Sequence, residues 1–181
     1  MNLAVSIVIF FILSFQVMPV ALGVDAQKTG LFHLISIVLF LVAGQVLLFL
    51  MGVWLGNRFM HLISGIQRGV LFVGFFLIAV RYSMEAFKIR KGERTYAIEK
   101  PALFILPAIA QAMNTFLAGI LLYFIPVDLL TDLIYLSLFS LIFTLLFVFI
   151  KNDKLSTSAI SLLYMIGGGI LTLVSIYFAF G

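Results

Sequence analysis

The chain alternates between long apolar stretches and short polar connections. Five stretches contain no charged residue and are long enough to cross a bilayer as helices; they cover residues 1–24, 29–57, 101–127, 133–150 and 155–181. A sixth stretch, residues 61–87, is apolar apart from Arg68, Arg81 and Glu85 near its ends. The pattern therefore predicts six membrane-spanning helices, called spans 1 to 6 in chain order, with residues 61–87 as span 3.

Composition agrees with this pattern. Of the 181 residues, 64% are apolar and only 10% are charged, and the mean hydropathy is +1.28, whereas soluble domains have about 50% apolar and 25% charged residues. These values exclude a soluble globular protein, and six spans leave no room for a domain outside the membrane. We therefore expect an all-α integral membrane protein whose main partner is the lipid bilayer. A net charge of +4 gives no reason to expect nucleic acid.

The orientation follows from the basic residues in the connections, because Lys and Arg accumulate on the cytoplasmic side. Eight of them fall on one side: Lys28, Lys88, Arg90, Lys91, Arg94, Lys100, Lys151 and Lys154. The connections on the other side contain only Arg58. We expect a protein of the plasma (inner) membrane with both termini outside and the basic loop 88–100 in the cytoplasm.

This loop divides the chain into two halves, residues 1–87 and 101–181. Each half contains three spans, so the two halves must insert in opposite directions. Such inverted repeats are typical of secondary transporters, which place the substrate site near the membrane midplane between the halves. Pro101 would begin the second half at the helix position where proline is best tolerated.

A few polar side chains lie deep within the spans, and these are the candidates for a substrate path: Gln16, Gln45, Gln111, Asn114 and Thr115. A side-chain amide costs several kcal/mol in hydrocarbon without a partner, so each should face protein or water. Pro19 lacks an N–H group and should free a backbone carbonyl one turn back, near Phe15. The alternative is that these groups only hydrogen-bond one helix to another.

Other residues have structural explanations. Small residues four apart allow helices to approach closely, so we expect packing roles for Gly52 with Gly56 and for Gly65 with Gly69. The consecutive glycines Gly167, Gly168 and Gly169 should let span 6 approach a neighbour or, alternatively, bend. Arg81 and Glu85 have the spacing of an ion pair on one helix face.

Catalytic chemistry has little support. His33 and His61 fall at opposite membrane faces, so they cannot form a joint metal site. No serine has a deep histidine or lysine companion at a helical spacing. We therefore expect neither an enzyme nor a bound cofactor.

Several of these motifs resemble the MntP-like manganese efflux pumps, a family of small six-helix proteins in the LysE-type exporter superfamily. Residues 14–23 (SFQVMPVALG) resemble the family's S-x-D motif and its following glycine, and residues 110–119 (AQAMNTFLAG) resemble its A-x-S-x-D-A-x-A-x-G motif. Gln45 precedes the span 2 glycines as the family's glutamine or glutamate does. Residues 81–87 resemble the family's ending of span 3, and the three glycines at 167–169 its glycine-rich last helix.

The resemblance implies export of a divalent cation such as manganese, with Gln16, Gln45 and Asn114 as its ligands. Gln16 and Asn114 stand where the family has aspartates, and Phe49 stands where it has a proline. Neutral amide oxygens are weaker ligands for hard cations than carboxylates are. Two other functions therefore stay open: export of a neutral or zwitterionic solute such as an amino acid, and a non-transporting membrane partner that retains the fold.

Overall fold

The computed structural model describes residues 3–24, 29–93, 105–125, 128–150 and 154–180, and these are helical almost throughout, without a strand. The α-helices are α1 Leu3–Leu13, α2 Met18–Leu22, α3 Leu31–Phe59, α4 Gln67–Arg90, α5 Ile105–Gln111, α6 Met113–Leu121, α7 Leu129–Val148 and α8 Lys154–Phe180. Short 3₁₀ segments cover Ser14–Val17, Met60–Ile66 and Leu122–Phe124. The all-helical prediction is confirmed.

Within these residues, six helical segments are long and apolar enough to cross a membrane, as predicted. They are Ala4–Leu22, Leu31–Ile63, Gln67–Arg90, Leu106–Phe124, Leu129–Val148 and Leu155–Phe180, and they correspond to spans 1 to 6. Large apolar side chains cover their outer surfaces, as expected of helices that face lipid. The chain is an integral membrane protein.

Three predicted boundaries are wrong. Span 2 continues to Ile63, so span 3 begins at Gln67 rather than at residue 61. Span 3 continues to Arg90, which places the first residues of the predicted basic loop in a helix; the rest of that loop, residues 94–100, and Pro101 lie outside the described residues. Span 5 begins at Leu129, because Asp128 caps the helix, and Asp132 is therefore inside the span.

Spans 1 and 4 are irregular at one point each. In span 1, α-helical bonding is interrupted by the 3₁₀ segment Ser14–Val17, after which α2 carries Pro19 in its first turn. In span 4, Ala112 (φ −77°, ψ 1°) separates α5 from α6. Spans 2, 3, 5 and 6 each contain a single α-helix of 20 residues or more.

Span 1 is the most deeply buried of the six. It packs along span 5, span 2 packs against spans 4 and 5, and span 3 packs against span 6. Edge-to-face phenylalanine contacts join span 1 to span 5, including Phe11 with Phe139 and Phe15 with Phe143. The core thus surrounds the segment of span 1 that holds Gln16.

Three glycines allow the contact between spans 2 and 4. A Cβ atom at Gly52 would overlap the Phe116 carbonyl oxygen, one at Gly56 would lie 2.7 Å from the Ile120 carbonyl oxygen, and one at Gly119 would overlap the Phe49 carbonyl oxygen. These three glycines therefore set the close approach of spans 2 and 4.

The three consecutive glycines of span 6 face different neighbours. Gly167 faces Ile12 of span 1, and Gly168 faces Ala79 and Ser83 of span 3. The packing role predicted for three other glycines is wrong within this chain: Gly65, Gly69 and Gly169 have no neighbouring atom within 4 Å of a Cβ position, because they face outward.

Candidate ion site

Three buried side chains form a hydrogen-bonded cluster that joins spans 1, 2 and 4. The Gln16 amide Nε2 donates to Thr115 Oγ1 at 2.9 Å, and Thr115 Oγ1 donates to Gln45 Oε1 at 2.5 Å. All three residues are at most 2% exposed. Thr115 is therefore the centre of the cluster, because it both accepts and donates.

Two buried side-chain oxygens, one in span 1 and one in span 4, have no hydrogen-bond partner. They are Gln16 Oε1 and Asn114 Oδ1, both buried, and Asn114 directly precedes Thr115 in span 4. A buried polar atom left unpaired costs about 1–3 kcal/mol, so native proteins usually pair such an atom with protein, water or an ion. These two oxygens, unlike Gln45 Oε1, are free to accept a ligand.

The irregular backbone of span 1 explains how Gln16 is oriented. The second hydrogen bond of its Nε2 goes to the Leu13 carbonyl at 2.9 Å, at the junction between α1 and the 3₁₀ segment. Both amide protons are thus engaged, and the amide oxygen is left without a partner. The carbonyl that Pro19 was expected to free, that of Phe15, accepts the Met18 N–H in the tighter 3₁₀ turn, so that prediction is wrong.

Gln111 belongs to a different network. Its Oε1 accepts from Tyr164 Oη at 3.3 Å, and the Tyr164 ring stacks on Tyr82 with 4.9 Å between centroids. Tyr82 Oη in turn donates to the Ile12 carbonyl at 2.7 Å. Gln111 therefore ties span 4 to spans 6, 3 and 1, and the network meets the amide cluster where Tyr82 approaches the Gln16 side chain.

Polar contacts between spans 1 and 5 were not predicted. Ser140 Oγ donates to Ser14 Oγ at 3.3 Å, and the Ser6 side chain lies close enough to Asp132 to stabilise its carboxylate. Asp132 is 2% exposed, the one charged residue that is fully buried in the described part of the chain. The signal in the sequence is its spacing: Asp132 follows Asp128 by one helical turn, immediately before an apolar run.

The ion pair at the end of span 3 joins Glu85 to Lys88, with 3.8 Å between Oε1 and Nζ, whereas the sequence predicted Arg81 as the partner. His33 and His61 are both exposed. Among the described residues, no group of three or more His, Asp or Glu side chains could hold a metal ion.

Comparison with known proteins adds one result. A family model described as "Putative manganese efflux pump" (Mntp) matches residues 28–178, which covers spans 2 to 6, while the segment with Gln16 precedes the matched region. No curated protein and no solved structure matches the chain significantly. Because the family model covers most of the sequence, the chain belongs to this MntP family.

Proposed function

We propose that this protein exports a divalent cation, with manganese as the leading candidate, through the cluster of Gln16, Gln45, Asn114 and Thr115. The observation that carries the proposal is the pair of unpartnered buried oxygens, Gln16 Oε1 and Asn114 Oδ1. Amide oxygens are ligands that hard cations such as Mn²⁺ accept. The family of the chain supports manganese as the cation.

The position of these oxygens supports the same function. Each lies beside the irregular point of its span, at Ser14–Val17 in span 1 and at Ala112 in span 4. Secondary transporters commonly build their sites where spanning helices are interrupted, because the interruption exposes polar backbone and orients side chains toward the substrate.

The pattern of helix contacts supports an inverted repeat of residues 1–87 and 101–181. Exchanging spans 1, 2 and 3 with spans 4, 5 and 6 turns the packing of span 2 on span 4 into that of span 5 on span 1. The same exchange leaves the contacts of span 2 with span 5 and of span 3 with span 6 unchanged. Gln16 and Asn114 are equivalent in this arrangement.

With the basic loop 88–100 in the cytoplasm, both termini face outward. Spans 1 and 5 then begin at the outer face, and Gln16 lies more than halfway along span 1 toward the cytoplasm. In this orientation a cation enters from the side of Gln111 and leaves toward Ser6 and Asp132.

A neutral cluster suits export of a weakly held ion. Gln16, Gln45, Asn114 and Thr115 carry no charge, so they offset none of the 2+ charge of the cation. Transport requires binding that is weak enough for the ion to leave. We therefore expect low equilibrium affinity at this cluster together with measurable flux.

The test compares the wild type with the variant Gln16→Asp/Asn114→Asp in proteoliposomes, using external Mn²⁺ and an internal metal-sensitive dye. The matched control is Gln67→Asp/Asn57→Asp, which makes the same chemical changes at exposed positions. Two added carboxylates at the cluster should tighten Mn²⁺ binding in calorimetry by about tenfold or more, or 1.4 kcal/mol, and the control should bind as the wild type does.

The proposal fails if the wild type moves no divalent cation and the cluster variant gains no binding. Amino acids are assayed in the same liposomes. Their transport would identify an exporter of neutral or zwitterionic solutes, and absence of any flux would indicate a membrane partner protein.

A further inference from the structure

We propose that Asp132 and Ser6 form a second divalent-cation site, at the end of the bundle where spans 1 and 5 begin. This site would give an exported cation a carboxylate ligand on its way out of the bundle. Its role in export rests on the proposed function, whereas its binding of a cation does not.

The burial of Asp132 is the first observation. Its side chain is 2% exposed and Ser6 is 7% exposed. The Ser6 side chain lies close enough to the carboxylate to stabilise its charge, but Oδ2 of Asp132 is buried without a partner. No described basic side chain forms an ion pair with it. An ionisable group in this situation is expensive inside a membrane, and it generally marks an ion path or a proton relay.

Helix capping does not account for Asp132, because Asp128 already performs it. The Asp128 side chain accepts from the Leu130 N–H at 3.3 Å and from Thr131 Oγ1 at 2.5 Å. The Asp132 N–H is bonded within the helix, to the Asp128 carbonyl. Asp128 is exposed and structural, whereas Asp132 is buried and has an unused oxygen.

The chemistry of the donors selects the ligand. A carboxylate oxygen and a hydroxyl oxygen are ligands for hard divalent cations such as Mn²⁺, Mg²⁺ and Ca²⁺, with water completing the shell. The chain has no cysteine and both of its histidines are exposed, so no thiolate or buried imidazole favours a softer metal. The negative charge of Asp132 would offset half of the 2+ charge, which the neutral amide cluster cannot do.

A pair of hydroxyls connects the two regions along one interface. Ser14 follows Ser6 by eight residues, as Ser140 follows Asp132, so the Ser14–Ser140 contact lies about 12 Å further along two parallel helices. Gln16 is two residues beyond Ser14. The buried polar groups of span 1 therefore lead from the amide cluster to Asp132.

The experiment measures Mn²⁺ binding to the purified full-length protein by electron paramagnetic resonance, which reports free Mn²⁺, together with the Tm at zero and saturating Mn²⁺. The variants are Asp132→Asn and, as a matched control with the same charge change one turn away, Asp128→Asn. We expect Asp132→Asn to weaken Mn²⁺ binding by about tenfold or more, while Asp128→Asn stays within about threefold.

The Tm separates a binding site from a structural role. Removing an uncompensated buried charge should raise the Tm of Asp132→Asn without Mn²⁺ and abolish its Mn²⁺-dependent increase. If Asp132→Asn lowers the Tm and binds Mn²⁺ as the wild type does, Asp132 is structural and the proposal is wrong.

Two further variants complete the test. Ser6→Ala keeps the charge and should weaken Mn²⁺ binding by a smaller factor than Asp132→Asn. This variant tests the proposal even if Asp132→Asn fails to fold. Unchanged Mn²⁺ binding in Ser6→Ala would then contradict the proposal. Gln16→Leu/Asn114→Leu should abolish transport and retain the Asp132-dependent binding. Loss of that binding in Gln16→Leu/Asn114→Leu would reveal a single shared site and overturn the proposal. Wild-type binding without any flux would refute only the proposed export.

Discussion

The amide cluster and the surroundings of Asp132 both lie along span 1, but they differ in charge and in hydrogen-bonding groups. At the cluster, three spans contribute oxygen and nitrogen atoms but no charge, and Thr115 satisfies two of the amides. At the other place, two spans supply a single carboxylate with one serine contact and one unused oxygen. The comparison shows that hydrogen-bonding capacity and charge, which usually occur together in a cation site, are separated along this helix.

The separation of charge from hydrogen-bonding capacity would affect a cation that moves along span 1. Neutral oxygens can replace part of a hydration shell without holding the ion strongly, whereas a buried carboxylate attracts it by direct Coulomb energy that the low-dielectric surroundings strengthen. A cation passing from the cluster to Asp132 would thus go from a weaker to a stronger site that lies nearer the end of the bundle.

The largest effect is expected from Gly52→Ala. The new methyl group would overlap the Phe116 backbone oxygen, and backbone cannot move aside as a side chain can, so spans 2 and 4 must separate and disrupt the cluster. We expect a loss of about 3 kcal/mol of stability, measured by denaturation in detergent, together with loss of Mn²⁺ flux.

Gly44→Ala on the same helix is the matched control for Gly52→Ala. No atom lies within 4 Å of its Cβ position, and it should gain about 0.5–1 kcal/mol from helix propensity. Binding at Asp132 should survive in both variants if that site depends on spans 1 and 5 alone. Equal stability of the two variants would contradict the interface described for Gly52.

The glycine pairs show what sequence spacing can and cannot predict. Gly52 and Gly56 have the same spacing as Gly65 and Gly69, yet the first pair lies against span 4 and the second faces outward. The spacing shows that one helix face carries small residues, but it does not show whether another helix covers that face. The six spans were predictable because apolar length alone determines them.

The candidate site was predictable in its members but not in its connections. Burial cost identified Gln16, Gln45 and Asn114, since a deep amide needs a partner whatever the fold. The central role of Thr115 depends on how spans 1 and 2 meet span 4, which no local pattern encodes. Asp132 was missed for the related reason that its burial comes from span 1, more than 100 residues earlier in the chain.

Thr115→Val should have an intermediate effect. Valine has the same shape but removes the hydroxyl that joins Gln16 to Gln45, so two buried amide groups lose a partner. Side-chain hydrogen bonds between membrane helices contribute about 0.6 kcal/mol on average and up to about 1.7, and we expect a loss of about 1–2 kcal/mol with greatly reduced Mn²⁺ flux.

Thr172→Val is the control for Thr115→Val, because Thr172 Oγ1 donates only within its own helix, to the Gly168 carbonyl at 2.9 Å. It should change stability by less than about 0.5 kcal/mol and leave flux intact. If Thr115→Val transports Mn²⁺ like this control, the cluster is a structural tie and not a path for ions.

The smallest effect is expected for the hydroxyl pair that links the two regions. Ser14 already donates to the Phe10 carbonyl at 2.7 Å, so it can only accept from Ser140, over a long 3.3 Å contact. A double-mutant cycle of Ser14→Ala and Ser140→Ala should therefore give a coupling energy of about 0.6 kcal/mol or less. The reference cycle pairs Ser140→Ala with Ser36→Ala, whose exposed hydroxyl donates within its own helix. The effects of these two distant substitutions on stability should be additive.

Flux is the more informative measurement for the Ser14–Ser140 pair, because a passing cation needs the two hydroxyl oxygens whether or not they bond to each other. If the double alanine variant transports Mn²⁺ at the wild-type rate while changes at the cluster and at Asp132 each abolish transport, the cation reaches Asp132 by another route.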